Sequence, residues 1–240
     1  MSQKSAGAWI KPVVPAAGTV MFAALVGLAA PAAMAAGAEQ LTYRVTHAVF
    51  GDIGTYSNTV EPRGEATTVK TQSHLNVTLL GANVFHEEAQ RVEQWQGDRL
   101  VSFRGVTSRK GGSTEVTGEA RGNSFVITSP KGTVTAPASV RPANPWSDNF
   151  ISANMMMRPD NGRVEPVSVS GGAASSVKLH DSTIQARRYD ISGDTKYSVW
   201  LDTRGVPVQF MIEDDTGTVT FTLTHCMSCG ITVSEATPRQ

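Results

Sequence analysis

The strongest candidate for chemistry in the sequence is a closely spaced cysteine pair near its end, within residues 225–229 (HCMSC). A Cys-x-x-Cys spacing can serve as a redox dithiol, ligate a metal, attach haem or close a small disulfide. Haem attachment requires a histidine directly after the second cysteine, and Gly230 occupies that position. We predict a structural disulfide between Cys226 and Cys229, the form that an oxidising compartment favours. Zinc held by His225 and both cysteines, with a fourth ligand from elsewhere, and a redox role are the alternatives.

Methionines and histidines are the other side chains that suit a transition metal. Met155, Met156 and Met157 are consecutive, and thioethers suit Cu(I). Three adjacent methionines on a helix point in different directions, so we prefer packing, or the lining of an apolar groove, as their role. The histidines show no metal-ligand spacing; they are His47, His74, His86, His180 and His225. We therefore predict no metal and no cofactor.

Catalytic signatures are missing from the sequence. It contains no Gly-x-Ser-x-Gly elbow and no glycine-rich loop that would cradle a phosphate. A tight turn explains the acidic pair Asp214-Asp215. Glu87 and Glu88 would lie on opposite faces of a strand, where they cannot share a proton. We predict that the protein is not an enzyme.

Aromatic and methionine side chains indicate a binding site instead. Alternation in residues 197–202 places Trp200 on the otherwise polar face of a strand. There it can cap an edge of the core, or line a groove covered by a nearby helix. A curved sheet with a helix over its concave side is a common way to make an apolar ligand site. The predicted ligand is an apolar or lipid-like small molecule, and the predicted ligand-binding residues are Trp146, Phe150, Met155, Met156 and Trp200.

The elements that would position these residues are β-strands. Residues 197–224 predict three antiparallel strands joined by two tight turns. The last strand alternates apolar residues with threonines, as expected when one face is buried and the other is wet. Both turns, at residues 202–205 and 214–217, place Asp first and Gly fourth. The Asp side chain can accept from backbone amides two residues on, and Gly supplies the backbone freedom that closes the turn.

The rest of the chain repeats this pattern less cleanly. Alternation and turn residues predict strands at residues 41–50, 53–61, 69–80, 84–95, 100–107, 114–121, 124–129, 163–170, 176–179 and 183–191. The charges in 84–95 also fit a helix, but a hairpin-like break follows, so we predict a strand. Residues 130–145 contain several prolines, which cannot donate to a sheet, so we predict that this segment is a crossover between two halves. Residues 147–157 are the one predicted helix. The predicted fold class is all-β, a predominantly antiparallel curved sheet (half-barrel or open barrel) with one short helix.

The N-terminus has the pattern of an export signal. Lys4 and Lys11 give a positive start, residues 20–30 are an apolar run, and residues 33–35 (AMA) form a small-x-small cleavage site. An uncleaved membrane anchor is the disfavoured alternative, because the apolar run is too short to span a bilayer. We predict that the mature chain has no transmembrane segment and resides in the periplasm, with full secretion as the alternative.

Length, charge and cysteine content limit the possible domain organisation, partners and type of scaffold. Removal of a signal peptide at residues 1–35 leaves 36–240, which we interpret as a single β-rich domain with the crossover at 130–145. The whole chain carries 21 basic and 21 acidic residues, and the balance argues against a nucleic-acid partner, which requires a clustered basic surface. With only 2 cysteines, the protein is not a disulfide-stapled scaffold and must fold on its own hydrophobic core.

Five features together resemble a known family. They are the signal peptide, the hairpin at residues 43–54, the Glu93-x-Trp95 strand, the Asn144-Pro145-Trp146 segment, and residues 197–205 with their return strand. In these the chain resembles an uncharacterised family of exported proteobacterial proteins with no assigned activity. At the level of fold it is similar to lipoprotein-carrier half-barrels of the periplasm. The resemblance implies a curved sheet and assigns no catalytic or binding residue, and the cysteine pair is not part of it.

The leading functional hypothesis is a non-enzymatic binding or carrier protein for an apolar or amphipathic molecule. It rests on the aromatic and methionine set around the crossover and on the missing catalytic constellations. A structural or interaction module of the cell envelope is the first alternative. A metal or redox role at Cys226 and Cys229 is the second.

Overall fold

The computed structural model describes residues 37–180, 182–214 and 217–229. The predicted signal peptide lies outside these residues, as do two residues of the second predicted Asp-Gly turn. The strands are β1 Glu39–His47, β2 Gly51–Arg63, β3 Ala66–Leu79, β4 Ala82–Gln96, β5 Arg99–Arg109, β6 Gly112–Arg121, β7 Ser124–Ser129, β8 Gly132–Pro137, β9 Arg141–Pro142, β10 Met155–Met157, β11 Val164–Pro166, β12 Ser168–Leu179, β13 Ser182–Ser192, β14 Lys196–Leu201, β15 Pro207–Asp214 and β16 Gly217–Met227. A 3-10 helix at Asp148–Ser152 is the only helix in the described part of the chain. Within that part, no helix is long and apolar enough to cross a membrane.

One 13-stranded sheet contains most of these strands, in the order β12-β13-β14-β15-β16-β1-β2-β3-β4-β5-β6-β7-β8. Within β1–β8 and within β12–β16, strands that follow one another in the chain pair as antiparallel hairpins. In addition, β16 pairs with β1 in a register that sets Tyr43 opposite Leu223 and Val45 opposite Phe221. The two ends of the described chain therefore meet inside the sheet, while β12 and β8 form its open edges. The predicted all-β antiparallel class is confirmed.

Aromatic contacts on the inner face show how strongly the sheet curves. Two strands separate β15 from β2, and in a flat sheet this would place them about 14 Å apart. The rings of Phe210 on β15 and Tyr56 on β2 nevertheless have centroids 5.7 Å apart. Tyr56 also meets the ring of Phe221 at 5.3 Å. These rings lie on the concave side of a curved sheet, as the sequence predicted.

The predicted helix at residues 147–157 is only partly correct. Ser147 does cap a helix, because its side chain accepts from the backbone N of Asn149 at 3.3 Å, but that helix is the short 3-10 turn. Residues 155–157 form strand β10, which pairs with β9 on one side and β11 on the other. Tertiary pairing thus overrides a helical pattern that had no length to sustain it.

The crossover begins later than its prolines indicated. Part of the predicted segment 130–145 is strand β8, which pairs with β7. β8 lies at the edge of the sheet, where a proline costs no ladder hydrogen bond, and Pro137 ends it. Residues 138–167 then cross the concave side and carry the small three-stranded sheet β11-β10-β9.

The core lies beneath this crossover in two hydrophobic clusters. Met156 belongs to the cluster built mainly by β1, β2 and β12–β16. Met157 belongs to the cluster built mainly by β2–β8. Both methionines are fully buried, and they point to opposite sides because successive residues of a strand do so. The methionine run therefore packs both halves of the core, in line with the preferred packing interpretation.

Candidate functional site

A cavity of about 500 Å³ opens on the concave side of the sheet. Strands β1–β5 and β14–β16 form its walls, and Ala143 with residues 158–160 of the crossover closes it from the other side. The inward positions of alternating strands supply a mainly apolar wall, which includes Ile53, Leu75, Val77, Ile212, Val219 and Phe221. Phe50, Val84 and Phe85 also line it and are exposed to solvent, so they mark its mouth. The volume lies within the range of small-molecule sites.

One side of the cavity carries paired charges. Arg109 Nη2 lies 2.6 Å from Glu87 Oε2 and 3.2 Å from Asp160 Oδ2. Arg158 Nε lies 3.3 Å from Asp160 Oδ1. Burial opposes the ionisation of Asp160, but the two guanidinium groups outweigh burial and lower the pKa of its carboxyl. These two arginines and two carboxylates neutralise one another and tie the crossover to β4 and β5.

A third arginine in the cavity, Arg91 on β4, has no such partner. Its Nε is buried and makes no hydrogen bond within the described residues, and none of their carboxylate oxygens forms an ion pair with it within the 4.0 Å limit. A buried donor left unpaired is costly, and native proteins rarely keep one without a reason.

His47 contributes a second buried donor near the mouth. Its Nδ1 accepts a hydrogen bond from the backbone N of Val49 at 3.0 Å, so the neutral ring carries its proton on Nε2. That Nε2 is buried and has no hydrogen-bond partner among the residues described. The cavity thus combines an apolar wall with two unsatisfied donors.

A buried polar network lies next to the cavity and holds the crossover in place. Glu93 is fully buried; its Oε2 accepts from Trp95 Nε1 at 2.9 Å and its Oε1 from Asn144 Nδ2 at 2.6 Å. Asn144 Oδ1 in turn accepts from Tyr56 Oη at 2.6 Å and from Asn58 Nδ2 at 3.0 Å. Burial raises the pKa of the Glu93 carboxyl to about 7, against the opposing effect of the hydrogen bonds it accepts.

The five residues predicted to bind a ligand do not come together around this cavity, and none of them lines it. Phe150 and Met156 are buried in the first core cluster. Trp146 and Met155 pack against the second cluster, where Trp146 meets the ring of Trp95 at a centroid distance of 5.7 Å. Their proposed contact with a ligand stays a prediction.

Trp200 lies on the outer face of β14, as alternation predicted, yet only 8% of it is exposed. The guanidinium of Arg188 covers its ring at 5.0 Å, and its Nε1 donates to Ser175 Oγ at 3.2 Å. Neighbouring strands β13 and β12 therefore cover this tryptophan. Of the two roles considered for it, capping an edge of the core fits this position.

The charged residues of the cavity were missed from the sequence. Arg109 and Arg158 come from separate elements, and only the fold brings them together. Arg91 left a signal, because alternation places it on the same face of β4 as the buried Ala89 and Trp95. A charged residue at an inward position of a strand is a candidate for function or for pairing.

Cys226 and Cys229 lie at disulfide distance, with Cα atoms 5.8 Å apart. Cys229 is buried, and its carbonyl oxygen accepts from Arg204 Nη1. Among the residues that the structure describes, no group of three or more His, Cys, Asp or Glu side chains is arranged to hold a metal ion. While the sulfurs are bonded to each other, they are not thiolate ligands.

Comparisons with known proteins agree with this architecture. Residues 43–224 match the family model of the domain of unknown function DUF6134. A crystal structure of a beta-barrel-like protein of domain of unknown function DUF1849 from Brucella abortus is similar, with a TM-score of 0.61 at 12% sequence identity, over 80% of this chain and 97% of that one. Identity this low shows the fold alone. Among curated proteins, none matches the chain significantly. The predicted membership of a family without an assigned activity is confirmed: the chain belongs to the DUF6134 family.

Proposed function

We propose that this protein is a non-enzymatic binding or carrier protein that holds an apolar or amphipathic molecule in the cavity of its curved sheet. The observation that carries the proposal is the cavity itself, about 500 Å³ with a mainly apolar wall. Burial of apolar surface against such a wall is the dominant favourable contribution to binding. We also propose that the protein acts in the periplasm, which the export-signal pattern of residues 1–35 supports.

The mouth of the cavity supports the same proposal. Phe50, Val84 and Phe85 both line the cavity and face solvent. Apolar side chains in this position give a hydrophobic molecule a continuous path from outside to the interior, and contiguous exposed apolar groups mark interaction sites. The resemblance to lipoprotein-carrier half-barrels, noted from the sequence, supports a binding or carrier role by analogy of fold.

A cavity-filling substitution tests the proposal directly. Leu75→Trp adds an indole to the cavity wall, whereas Val92→Trp adds the same group at a solvent-exposed position of the neighbouring strand β4. Binding of a neutral fluorescent probe, N-phenyl-1-naphthylamine, is measured for both variants and for the wild type, with the melting temperature as a check on folding. We expect binding to be lost in Leu75→Trp and kept in Val92→Trp.

Material bound in the native host gives the second readout. Protein purified from its own periplasm under mild conditions is examined by native mass spectrometry, and its lipid extract is compared with that of Leu75→Trp. We expect a bound small molecule that the filled variant lacks. If the wild type neither binds the probe nor carries a molecule, the proposed function is wrong.

An interaction module of the cell envelope is the second candidate, and a separate observation favours it. Leu80 in the β3–β4 turn is 100% exposed, and Val49 in the β1–β2 turn is 74% exposed. Both turns lie at the same end of the sheet, because β2 and β3 are antiparallel neighbours. A photo-crosslinking residue at position 80 would capture a protein partner if this candidate is correct, and the cavity-filling variant would then leave the crosslink intact.

A further inference from the structure

We propose that the cavity receives a single-chain amphiphile with an anionic headgroup, and that Arg91 is the residue that binds this headgroup. The inference rests on the proposed function, because it assigns a chemical class to the molecule in the same cavity. It starts from the charges that line the cavity and from what each of them contacts.

The charged side chains of the cavity do not balance. Three guanidinium groups, those of Arg91, Arg109 and Arg158, face two carboxylates, those of Glu87 and Asp160. In the ion pairs described above, both carboxylates contact Arg109 or Arg158, and neither forms an ion pair with Arg91. Among the cavity-lining residues that the structure describes, one cation is therefore left without an ion-paired carboxylate.

Glu93, two residues along the same strand face, does not fill this role. Each of its oxygens already accepts a short hydrogen bond, Oε1 from Asn144 and Oε2 from Trp95. It forms no ion pair with Arg91 within 4.0 Å. The network thus directs this carboxyl towards the crossover. Arg91 acts on Glu93 only through its charge and also interacts with the side chain of Tyr56, but its buried Nε has no acceptor among the described residues and can donate to an anion in the cavity.

The neighbouring strand leaves room for the stem of Arg91. Gly105 on β5 pairs with Arg91, and a Cβ at position 105 would come within 3.3 Å of Arg91 Cγ and 3.0 Å of the ring of Phe103. A glycine at this position therefore leaves space beside the stem of the arginine on the concave face. Its Nε remains buried without an acceptor, and an incoming anion would supply acceptors at this guanidinium.

The chemistry and dimensions of the cavity indicate an anionic headgroup and a single hydrocarbon chain. Guanidinium groups match the geometry of carboxylates and similar planar or tetrahedral anions. Arg91 lies six positions along β4 from Phe85 at the mouth, which corresponds to about 20 Å along the strand. The wall of the cavity is mainly apolar. A volume of about 500 Å³ in the lower half of the usual range for ligand sites suits one hydrocarbon chain better than a lipid with several.

A ligand series of constant chain length tests the inference. Dodecanoate, 1-dodecanol and dodecylammonium compete with N-phenyl-1-naphthylamine for the purified mature protein below their aggregation concentrations. We expect dodecanoate to bind at least about tenfold more tightly than the alcohol, and dodecylammonium to bind more weakly than both. If acid and alcohol bind equally, the inference is overturned while the proposed function stands; if neither they nor the probe binds, both fail.

Substitution of Arg91 completes the test. Arg91→Met keeps an unbranched apolar side chain but removes the charge, and we expect it to abolish the preference for the acid over the alcohol while the probe still binds. Arg104→Met removes a charge from the exposed face of β5, where Arg104 pairs with Glu115, and should leave the preference unchanged. A preserved preference in folded Arg91→Met contradicts the assignment of Arg91. If that variant does not fold, Arg91→Lys, which keeps the charge but not the planar fork, should retain the preference at reduced strength.

Discussion

Asn144 Nδ2 donates a 2.6 Å hydrogen bond to Glu93 Oε1, and this bond joins the crossover to the middle of the sheet. The two residues belong to the two short segments, Glu93-x-Trp95 and Asn144-Pro145-Trp146, that recur in the family resemblance. They lie 51 positions apart in the chain, yet the segments contact each other directly, since the rings of Trp95 and Trp146 also pack together. The motifs therefore fix the crossover over the cavity.

Asn144→Ala should destabilise the protein by about 2–4 kcal/mol, because it removes hydrogen-bond partners of buried groups on Glu93, Tyr56 and Asn58. The free energy of unfolding in urea measures the effect. Asn76→Ala is the matched control: its side chain is exposed and hydrogen-bonds only to exposed neighbours, so we expect a change below about 0.5 kcal/mol. Equal effects of the two substitutions would show that the network does not hold the crossover.

The buried Glu93 carboxyl should make stability fall as the pH rises. Burial raises its pKa from 4.5 to about 7, so the folded protein binds a proton that the unfolded chain has lost in this interval. The contribution of Glu93 to the free energy of unfolding is therefore full below pH 4.5. It is lost as the pH rises to about 7, which lowers the free energy of unfolding by on the order of 3 kcal/mol. Urea unfolding at a series of pH values measures this slope.

Two substitutions separate the contribution of Glu93 from that of other acids. Glu93→Gln cannot ionise, so we expect its stability to stay nearly level where the wild type declines. Glu61→Gln, which removes an exposed carboxyl paired with Lys70, should keep the decline. A wild-type profile that rises between pH 4.5 and 7, with the same shape in Glu93→Gln, would contradict the role of this carboxyl.

Local sequence patterns predicted the strands well, but they did not predict which distant strands pair with each other. Alternation in β16 and the Asp202 turn are local properties. Asp202 Oδ1 accepts from the backbone N of Arg204 at 2.9 Å, as its position in the turn predicted, and also from that of Val206 at 2.8 Å. The pairing of β16 with β1 and the contact of Arg109 with Asp160 of the crossover depend on long-range closure of the sheet. No local pattern encodes such closure.

The misassigned segment illustrates the same limit. The cap at Ser147 was recognised correctly, but Met155–Met157 is a strand because it pairs with β9 and β11, and the pattern of the segment itself does not show this pairing. Trp200 was correctly placed on the polar face of its strand, and its burial involves Arg188 and Ser175, which come from neighbouring strands.

Gly54→Ala should be among the most damaging single substitutions in the sheet. Gly54 has a φ of +139°, and a Cβ at this position would lie 2.0 Å from the backbone oxygen of His74 on β3. Because that neighbour is backbone, relief of the clash requires the β2–β3 pairing to shift, and we expect a loss of about 3 kcal/mol or more. Gly97→Ala is the control: its φ is also positive, but nothing lies within 4 Å of the added Cβ, so the cost should be about 1 kcal/mol. Thermal unfolding of both variants measures the difference, and similar melting temperatures would contradict the close approach at Gly54.

The cysteine pair should contribute to stability as a short structural crosslink. Protein isolated from an oxidising compartment should show no reactive thiol without reductant, and both cysteines should react after reduction and unfolding. The loop between Cys226 and Cys229 spans a sequence separation of 3, so reduction should cost only about 2 kcal/mol. The double variant Cys226→Ser/Cys229→Ser should lose about the same amount and should no longer respond to reductant.

Reactive thiols in the native oxidised protein, or zinc that remains bound in stoichiometric amount after dialysis, would instead establish the metal or redox alternative at this pair. The reason is that only free thiolates bind zinc or exchange with other disulfides.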